Sequence, residues 1–266
     1  MASFFMEQRK NAMKRHLGIC LVILMLSLSL VACASSQKEL EKQRAEAIRD
    51  LGEAYMGQGA HTRALREFLK ADRIYSEDPY LQNDLGLAYM VKGNLELSIK
   101  HFKKALKLNP DYSPARNNLG SAYIEKENWD AAIECFKTVK DDLLYGTPQY
   151  PMTNLGFVYY KLGDYDQAVN YYKEALDMSP NFPMAYHGIG RVYMAMGKYE
   201  DAVEALESAV EKAPKEAPIH IDLGKAFKKQ HEYNKAYEIF KKAAALAEDP
   251  KIKKEAEGEA EKVWNR

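Results

Sequence analysis

The sequence has 266 residues, of which 47% are hydrophobic and 29% are charged. This hydrophobic content is enough for a well-buried core, so a chain that is disordered throughout is excluded. Basic and acidic residues number 38 each, which excludes the bulk positive charge typical of nucleic-acid-binding proteins. We therefore expect a folded protein whose partners are not nucleic acids.

The N-terminal residues have the order of an export signal. The basic residues Lys14 and Arg15 precede an apolar run from Leu17 to Leu30, and the sequence Leu-Val-Ala-Cys follows, ending at Cys33. This ending resembles the lipobox of bacterial lipoproteins, and the resemblance implies acylation of the Cys33 thiol and cleavage before it. The alternative is a retained transmembrane anchor, because the apolar run is close to the ~18 residues that begin to span a bilayer.

Lipidation at Cys33 would fix the mature chain to a membrane. Several acyl chains on one cysteine anchor a protein stably, since each buried methylene contributes about 0.8 kcal/mol. Ala34 and Ser35 follow the cysteine, and in the lipoprotein resemblance the absence of aspartate there implies the outer membrane, facing the periplasm. We expect 1–32 to be a signal peptide and 33–44 a lipidated tether.

Cleavage before Cys33 would also change the net charge and the number of cysteines of the mature chain. It would remove four basic residues and one acidic residue, leaving a net charge of −3. Cys20 would leave with the signal, and Cys33 would be lipidated. Cys135 would then have no partner for an intramolecular disulfide.

One pattern recurs through the rest of the chain. A large aliphatic residue followed by glycine marks each repeat, at Gly52, Gly86, Gly120, Gly156, Gly190 and Gly224, with spacings of 34 or 36 residues. An aromatic residue stands three positions after each glycine, Ala or Ser twelve after it, and a large apolar residue sixteen after it. These offsets predict two packed helices per repeat, with the glycine of the first and the alanine of the second leaving no bulk where they cross.

The pattern resembles the consensus of the tetratricopeptide repeat (TPR). We therefore expect an all-α fold, a TPR solenoid of six helix-turn-helix repeats with a C-terminal capping helix. The repeats are placed at 45–78, 79–112, 113–148, 149–182, 183–216 and 217–250, and the cap at 251–266. In the cap, Ile252, Ala256, Ala260, Val263 and Trp264 recur at helical spacing, and we interpret Trp264 as a packing residue.

The sequence contains none of the enzyme motifs HExxH, CxxC, GxSxG or a Walker A loop. The five histidines of the mature chain make no pair at metal-ligand spacing, and we interpret them as ordinary surface or groove residues. They are His61, His101, His187, His220 and His231. We expect a protein that is not an enzyme and has no cofactor and no metal.

The concave face of such a solenoid is lined by the first helix of each repeat, and function is expected there. The residues two positions before each glycine are Asp50, Asp84, Asn118, Asn154, Gly188 and Asp222. We call this set the polar row. Its amides could hydrogen-bond the backbone of an extended peptide, with Asp84, Asn118 and Asn154 as candidate contacts, resembling the asparagine ladder of some TPR proteins. The alternative is that these side chains only solvate the groove or bond neighbouring turns.

An apolar set accompanies the polar row at the centre of the chain. Its members are Tyr150, Phe157, Tyr160, Met184 and Met194, and we call them the apolar face. Aromatic and methionine side chains are common on adaptable binding surfaces, so we predict that these residues line the groove. Packing between repeats is the alternative for some of them. The third repeat also carries a two-residue insertion within 143–148, which predicts either a change of superhelical pitch or a contact site.

The chain resembles the PilW/PilF-type lipoproteins of type IV pilus biogenesis. The resemblance rests on the lipobox, the six repeats, the insertion, and the two Asn-Leu-Gly sequences at 118–120 and 154–156. The resemblance implies a scaffold that binds an outer-membrane secretin or another pilus component and assists secretin assembly. A lipoprotein adaptor for cell-wall hydrolases or outer-membrane protein assembly is the alternative. A carboxylate-clamp adaptor is disfavoured, because the residues after each glycine lack its matched lysine and asparagine pattern.

Overall fold

The computed structural model describes Met6, 36–142 and 145–264, and these residues form helices joined by short turns. The helices are α1 (36–57), α2 (His61–Ile74), α3 (Pro79–Val91), α4 (Leu95–Leu108), α5 (Ser113–Glu125), α6 (Trp129–Lys140), α7 (Gln149–Leu162), α8 (Tyr165–Met178), α9 (Pro183–Ala195), α10 (Tyr199–Lys212), α11 (Ala217–Lys229), α12 (Tyr233–Leu246) and α13 (Pro250–Trp264). The predicted all-α class is confirmed.

Some of the predicted features fall outside the described residues. These are nearly all of the signal peptide, the lipidation site Cys33, and Leu143 and Leu144 of the insertion. Residues 36–44, expected to be part of a tether, are helical and continue directly into the rest of α1. Among the described helices, none has both the length and the hydropathy required to cross a bilayer.

The turn inside each repeat requires one residue in the left-handed region. This residue stands seven positions after the repeat glycine, and it is itself glycine at four places, such as Gly163 with φ 80°. In the third and sixth repeats the same position is held by Glu127 (φ 54°) and His231 (φ 64°). Glycine adopts this conformation without a Cβ penalty, which explains the second, weaker glycine periodicity of the sequence.

Local side-chain chemistry fixes where several helices begin. The Asp78 carboxylate accepts a hydrogen bond from the Tyr80 N–H at the start of α3, and the Asp164 carboxylate accepts one from the Gln167 N–H at the start of α8. Such caps satisfy backbone donors that the first turn of a helix leaves free. Proline occupies the first or second position of α3, α5, α9 and α11, where its missing N–H costs no hydrogen bond.

The contacts divide the chain into two compact units, Met1–Asn94 and Leu95–Arg266. In the first, α1, α2 and α3 enclose a core that includes Phe68, Leu81 and Leu85, all fully buried. In the second, consecutive helices pack pairwise from α4 to α13. The first helices α5, α7, α9 and α11 also approach one another closely in order, and α11 approaches α13. The backbones of the second helices α6, α8, α10 and α12 lie farther apart, although the long side chain of Lys140 on α6 reaches Glu174 on α8 at 3.0 Å. The first helices therefore form the tighter, concave side of this unit.

The repeat glycines provide room for a large side chain of the partner helix. A Cβ added to Gly156 would lie 2.8 Å from the ring of Tyr172, and one added to Gly120 would lie 2.7 Å from the ring of Phe136. Alanines such as Ala168 are the predicted crossing partners, and Ala168 is fully buried. The structure adds a second partner, because the large side chain sixteen positions after the glycine reaches across the crossing and lies against it at Gly52, Gly120, Gly156, Gly190 and Gly224.

The C-terminal helix α13 covers the last repeat, as predicted for a capping helix. Its residues Ala256, Ala260 and Val263 are buried in one cluster with Phe240. Trp264 does not join this core, because 71% of its surface is exposed and its ring touches only the edge of the repeat at Tyr237, with ring centroids 5.0 Å apart. Trp264 therefore packs, as interpreted from the sequence, but against Tyr237 at the edge of the repeat and not in the core.

His220 was expected to be an ordinary surface or groove residue, and this prediction was wrong. Its side chain is fully buried in α11, and its Nε2 lies 2.9 Å from the carbonyl oxygen of Pro214. Nε2 must donate there, since a carbonyl can only accept. Burial lowers the pKa of His220 below its usual value, although the hydrogen bond to Pro214 opposes the shift. The neutral imidazole is therefore the form that the core accepts.

Candidate peptide-binding face

The apolar face lies on the first helices α7 and α9 of the second unit, where part of every side chain is accessible. Tyr150 and Met184 are 43% and 55% exposed, and Phe157, Tyr160 and Met194 are half-buried. Tyr160 and Met194 also pack against buried core residues, so the packing role considered for them is real. The accessible parts of the five residues leave an apolar surface on the concave side of the unit.

Aromatic contacts hold two of these side chains in place. The rings of Tyr150 and Phe182 meet edge to face with centroids 5.2 Å apart, and the rings of Tyr160 and Tyr165 lie 6.2 Å apart. Edge-to-face pairs add to the stability gained by burial alone. Fixed aromatic side chains lose little conformational entropy when a ligand covers them, which favours binding.

The polar row is uneven in the structure. Asn118 and Asn154 are half-buried on α5 and α7, and Asn118 already has an interaction within the chain. Gly188 interrupts the row, because a Cβ at this position would lie 2.3 Å from Cζ of Tyr172. The gap in the row is therefore a packing requirement of Tyr172, whose ring lies against both Gly156 and Gly188.

Asp84 belongs to the first unit and lies among charged neighbours. The Arg49 guanidinium is 2.7 Å from the Asp78 carboxylate, 3.1 Å from that of Glu53 and 4.0 Å from that of Asp84. Burial raises the pKa of Asp84 to about 7, with further contributions from Glu53 and Asp78, while Arg49 opposes the rise. One guanidinium thus lies close to several carboxylates, and its own burial makes Asp84 bind a proton more readily than an ordinary aspartate.

Asp222, the last member of the polar row, lies in an ion cluster that we did not predict. Its Oδ2 is 2.8 Å from Nε2 of His187 and 4.0 Å from Nε of Arg191, and its Oδ1 is 3.7 Å from Nζ of Lys225. Burial alone would raise the pKa of Asp222, but the hydrogen bond from His187 and the neighbouring positive charges outweigh it and hold that pKa below its usual value.

This cluster opens into a cleft of about 350 Å³. The cleft is lined by Tyr160, Arg191, Met194, Ala195, Asp222 and Lys225. It joins the apolar face to the ion cluster, since Tyr160 and Met194 of the apolar face line it together with charged residues of the cluster. Arg191 and Lys225 each follow a repeat glycine directly, so the same spacing that marked the polar row could have identified them.

The described part of the insertion lies beside the start of α5. A second cleft of about 810 Å³ is lined by residues of this region, among them Ser113, Arg116, Asp142 and Tyr145. The Ser113 hydroxyl donates a hydrogen bond to the Asp142 carboxylate, which ties the end of the third repeat to its own first helix. Whether the insertion is a contact site stays a prediction.

Neither metal-ligand clusters nor a reactive thiol stand out in the described part of the chain. No group of three His, Cys, Asp or Glu side chains there could hold a metal ion. Cys135 is buried, and this burial raises the pKa of its thiol to about 11. Its thiol is therefore kept in the unreactive protonated form at neutral pH.

Comparison with known families supports the repeat pattern. Three family models, each described as a tetratricopeptide repeat or TPR repeat, match residues 86–126, 111–181, and 159–220 with 194–254. The chain is a tetratricopeptide-repeat protein. TPR repeats generally form scaffolds for protein-protein interaction, and no catalytic family is among these matches. The predicted TPR solenoid is thereby confirmed.

Solved structures of other TPR proteins have the same fold. PilW, described as a widely conserved type IV pilus biogenesis factor, superimposes with a TM-score of 0.73 at 21% identity, covering 84% of this chain and 99% of PilW. PilF of Pseudomonas aeruginosa gives 0.67 at 18% identity, covering 82% and 99%. A TPR protein of Parabacteroides merdae gives 0.69 at 20% identity, covering 82% and 84%. None of the curated proteins matches the sequence.

Proposed function

We propose that this TPR scaffold is a lipid-anchored factor of type IV pilus biogenesis that binds an outer-membrane secretin, or another pilus component, and assists secretin assembly. The observation that carries the proposal is the joint occurrence of a lipobox ending at Cys33 and a TPR stack that overlaps 99% of PilW. The overlap with PilF is equally complete. Fold likeness at this identity would not suggest a pilus role without the lipobox and the insertion.

The proposed binding site is the concave side of α5, α7 and α9. An extended segment of the partner would place apolar side chains on the apolar face, where burial contributes roughly 25 cal/mol per Å² of apolar surface. The amides of Asn118 and Asn154 would donate to and accept from the backbone of that segment. Apolar contact would then supply most of the affinity, and the amides would fix the direction and register of the segment.

The test replaces both amides, as Asn118→Ala with Asn154→Ala, in the full-length lipoprotein. Each neutral hydrogen bond lost is expected to cost about 0.5–1.5 kcal/mol, so affinity for the partner should fall roughly ten- to a hundredfold. Asn170→Ala is the matched control, because Asn170 is an exposed amide on the second helix α8. Heat-stable secretin multimers and surface pili are counted in a deletion strain that carries each variant.

Two outcomes would contradict separate parts of the proposal. Normal secretin multimers and normal piliation in the deletion strain itself would refute the pilus assignment. Unchanged binding and secretin assembly with the double variant, in a strain where the deletion has an effect, would refute only the role of the two amides. The amount of lipoprotein and its helical content by circular dichroism are measured alongside, so that loss of the protein is not mistaken for loss of binding.

A further inference from the structure

Arg191 is fixed in place by its neighbours but makes no hydrogen bond to any of the residues that the structure describes. Its guanidinium carbon lies 5.2 Å from the centroid of the Tyr160 ring, within the range of a cation–π contact. Its Nε is 4.0 Å from Oδ2 of Asp222, close enough for attraction between charges but too far for a hydrogen bond. The side chain is 41% exposed, so its N–H donors can reach a ligand.

The carboxylate beside Arg191, that of Asp222, already interacts with other residues. Asp222 accepts a hydrogen bond from Nε2 of His187 at 2.8 Å and has Nζ of Lys225 3.7 Å from its other oxygen. Lys225 in turn donates to Glu255 at 2.9 Å. Asp222 and Glu255 are thus paired within their own network. Among the described residues of this network, the guanidinium of Arg191 keeps its N–H donors free.

A guanidinium held by an aromatic ring with its N–H groups free is well suited to a carboxylate. The planar group presents its donors as a fork that matches the two oxygens of a carboxylate, and contact with Tyr160 restricts its orientation before binding. Tyr160 and Met194 also give the cleft an apolar wall, which would take the methylene groups of an acidic side chain. Lysine could supply the charge but not the fork.

We propose that Arg191 binds the side-chain carboxylate of an Asp or Glu within the extended partner segment, an inference that rests on the binding face proposed above. The first helix α11 and the capping helix α13 continue the concave layer beyond α9, so a segment can run past Arg191 instead of ending there. The partner motif is therefore a run of apolar residues, which cover α7 and α9, with an acidic residue at the end that lies in the cleft.

Random dodecapeptides displayed on phage, with their C-termini blocked by fusion, provide a probe that needs no known partner. They are selected on the full chain and on Arg191→Gln, Arg191→Lys and the control Lys173→Gln, which removes an exposed charge on α8. We expect peptides selected on the parent and on the control to combine apolar residues with Asp or Glu at a fixed spacing. Selection on Arg191→Gln should keep the apolar residues and lose the acidic preference, whereas Arg191→Lys, which keeps the charge but not the paired donors, should only weaken it.

The best peptide is then synthesised as an amide, together with its Glu→Gln or Asp→Asn form, and fluorescence anisotropy gives the affinities. Charge-assisted hydrogen bonds are worth about tenfold to a hundredfold in affinity, so the parent should prefer the acidic peptide by this factor and Arg191→Gln should not. Apolar peptides without an acidic preference would overturn the role of Arg191 alone. Failure to select any peptide would overturn the binding face as well. A neutral peptide rescued by a free C-terminal carboxylate would overturn the assignment to an internal side chain.

Discussion

Tyr172 occupies a position that five of the six repeats fill with phenylalanine or leucine. Its ring is almost fully buried and lies against two glycines, Gly156 of its own repeat and Gly188 of the next. Because a core of this density has few voids larger than a water molecule, neither glycine can acquire a Cβ unless the ring moves. A single tyrosine thus determines the residue type at two positions, one of which interrupts the polar row.

Gly188→Ala should destabilise the protein. The new Cβ would overlap the Tyr172 ring, and overpacking of this kind costs about 1–3 kcal/mol, more than the ~1 kcal/mol that alanine gains over glycine in a helix. Thermal melting followed by circular dichroism should show a lower Tm. Gly258→Ala in α13 is the matched control, because a Cβ added there would meet no neighbouring group within 4 Å. This control variant should raise the Tm slightly. An unchanged Tm for Gly188→Ala would show that the ring has room to move.

Asp84 should make the stability of the first unit depend on pH. Its folded-state pKa of about 7 lies above the unfolded value of about 3.9, so the folded state holds a proton that the unfolded state releases. The stability that Asp84 contributes is fully present below about pH 4 and is lost as pH rises through 7. Asp84→Asn mimics the neutral carboxyl and should therefore stabilise the protein at pH 8 by more than about 1 kcal/mol, with a smaller gain at pH 5.

Urea unfolding at pH 5 and pH 8 measures this difference in free energy. Asp50→Asn is the matched control, because Asp50 belongs to the same polar row but its side chain is 66% exposed. We expect the control to change stability by the same small amount at both pH values. If the free energy of unfolding of Asp84→Asn at pH 8 were equal to or below that of the parent, burial of the charged Asp84 carboxylate would not destabilise the fold, and the prediction would be contradicted.

At the level of the helices, α13 completes the last repeat by covering its apolar side. Ala256 and Val263 share a cluster with Phe227 and Phe240, and Glu259 of α13 accepts a hydrogen bond from Lys228 of α11 at 2.7 Å. A repeat cannot bury its faces alone, so the terminal one depends on a cap. Removing the cap should affect the neighbouring helices most strongly.

A chain ending at Glu248 should lose hydrogen-exchange protection in α11 and α12, while α7 and α8 keep theirs. Stability in repeat proteins passes mainly between neighbours, and this confines the effect. Mass spectrometry of exchanged peptides resolves the helices separately. Trp264→Ala in the full chain is the control, because this exposed side chain should contribute little protection to either helix pair. Unchanged protection in α11 and α12 would show that α13 does not act as a cap.

The sequence predicted the helical class and the repeats well, because the same local pattern occurs once in each of the six repeats. It predicted packing partners less well. The spacing of glycines shows that room is needed at a crossing, but it does not show which side chains fill the room, and the contact of the Tyr172 ring with Gly156 and Gly188 was not predicted. His220 was placed at the surface although it is buried, because helical periodicity gives the face of a helix and not the depth of its burial.

The candidate site could be predicted in part for a related reason. The apolar face follows from fixed positions in the first helices, and those positions repeat along the sequence. The ion cluster depends on the contacts of Asp222 on α11 with His187 and Arg191 on α9, and with Lys225 on its own helix. Which charges meet across two helices depends on how the helices are rotated and offset, and the sequence of one chain does not specify this directly.

The proposed attachment of the whole molecule to a membrane depends on its N-terminal segment. Cys33 lies outside the described residues, but helix α1 is present from residue 36. A helix rises about 1.5 Å per residue, less than half the length of an extended chain, so 36–44 give the protein a shorter reach than a flexible tether would. If Cys33 is acylated, the first repeat is therefore held near the membrane surface, and partners must be bound there.

Cys33→Ser should release the protein from the membrane without unfolding it. The change removes the thiol that the acyl chains require, and it lies before every helix residue from 36 onward, so circular dichroism of the purified variant should match that of the processed parent. Labelling with a fatty-acid probe, followed by separation of the envelope fractions, should show label and outer-membrane recovery for the parent and neither for the variant.

The number of heat-stable secretin multimers should fall in the variant strain although the folded protein is present. Without the anchor, the protein loses its high local concentration at the membrane, and binding weakens. A parent that carries no label, together with unchanged recovery of the variant in the outer membrane, would refute the lipid anchor and leave the TPR scaffold itself unaffected.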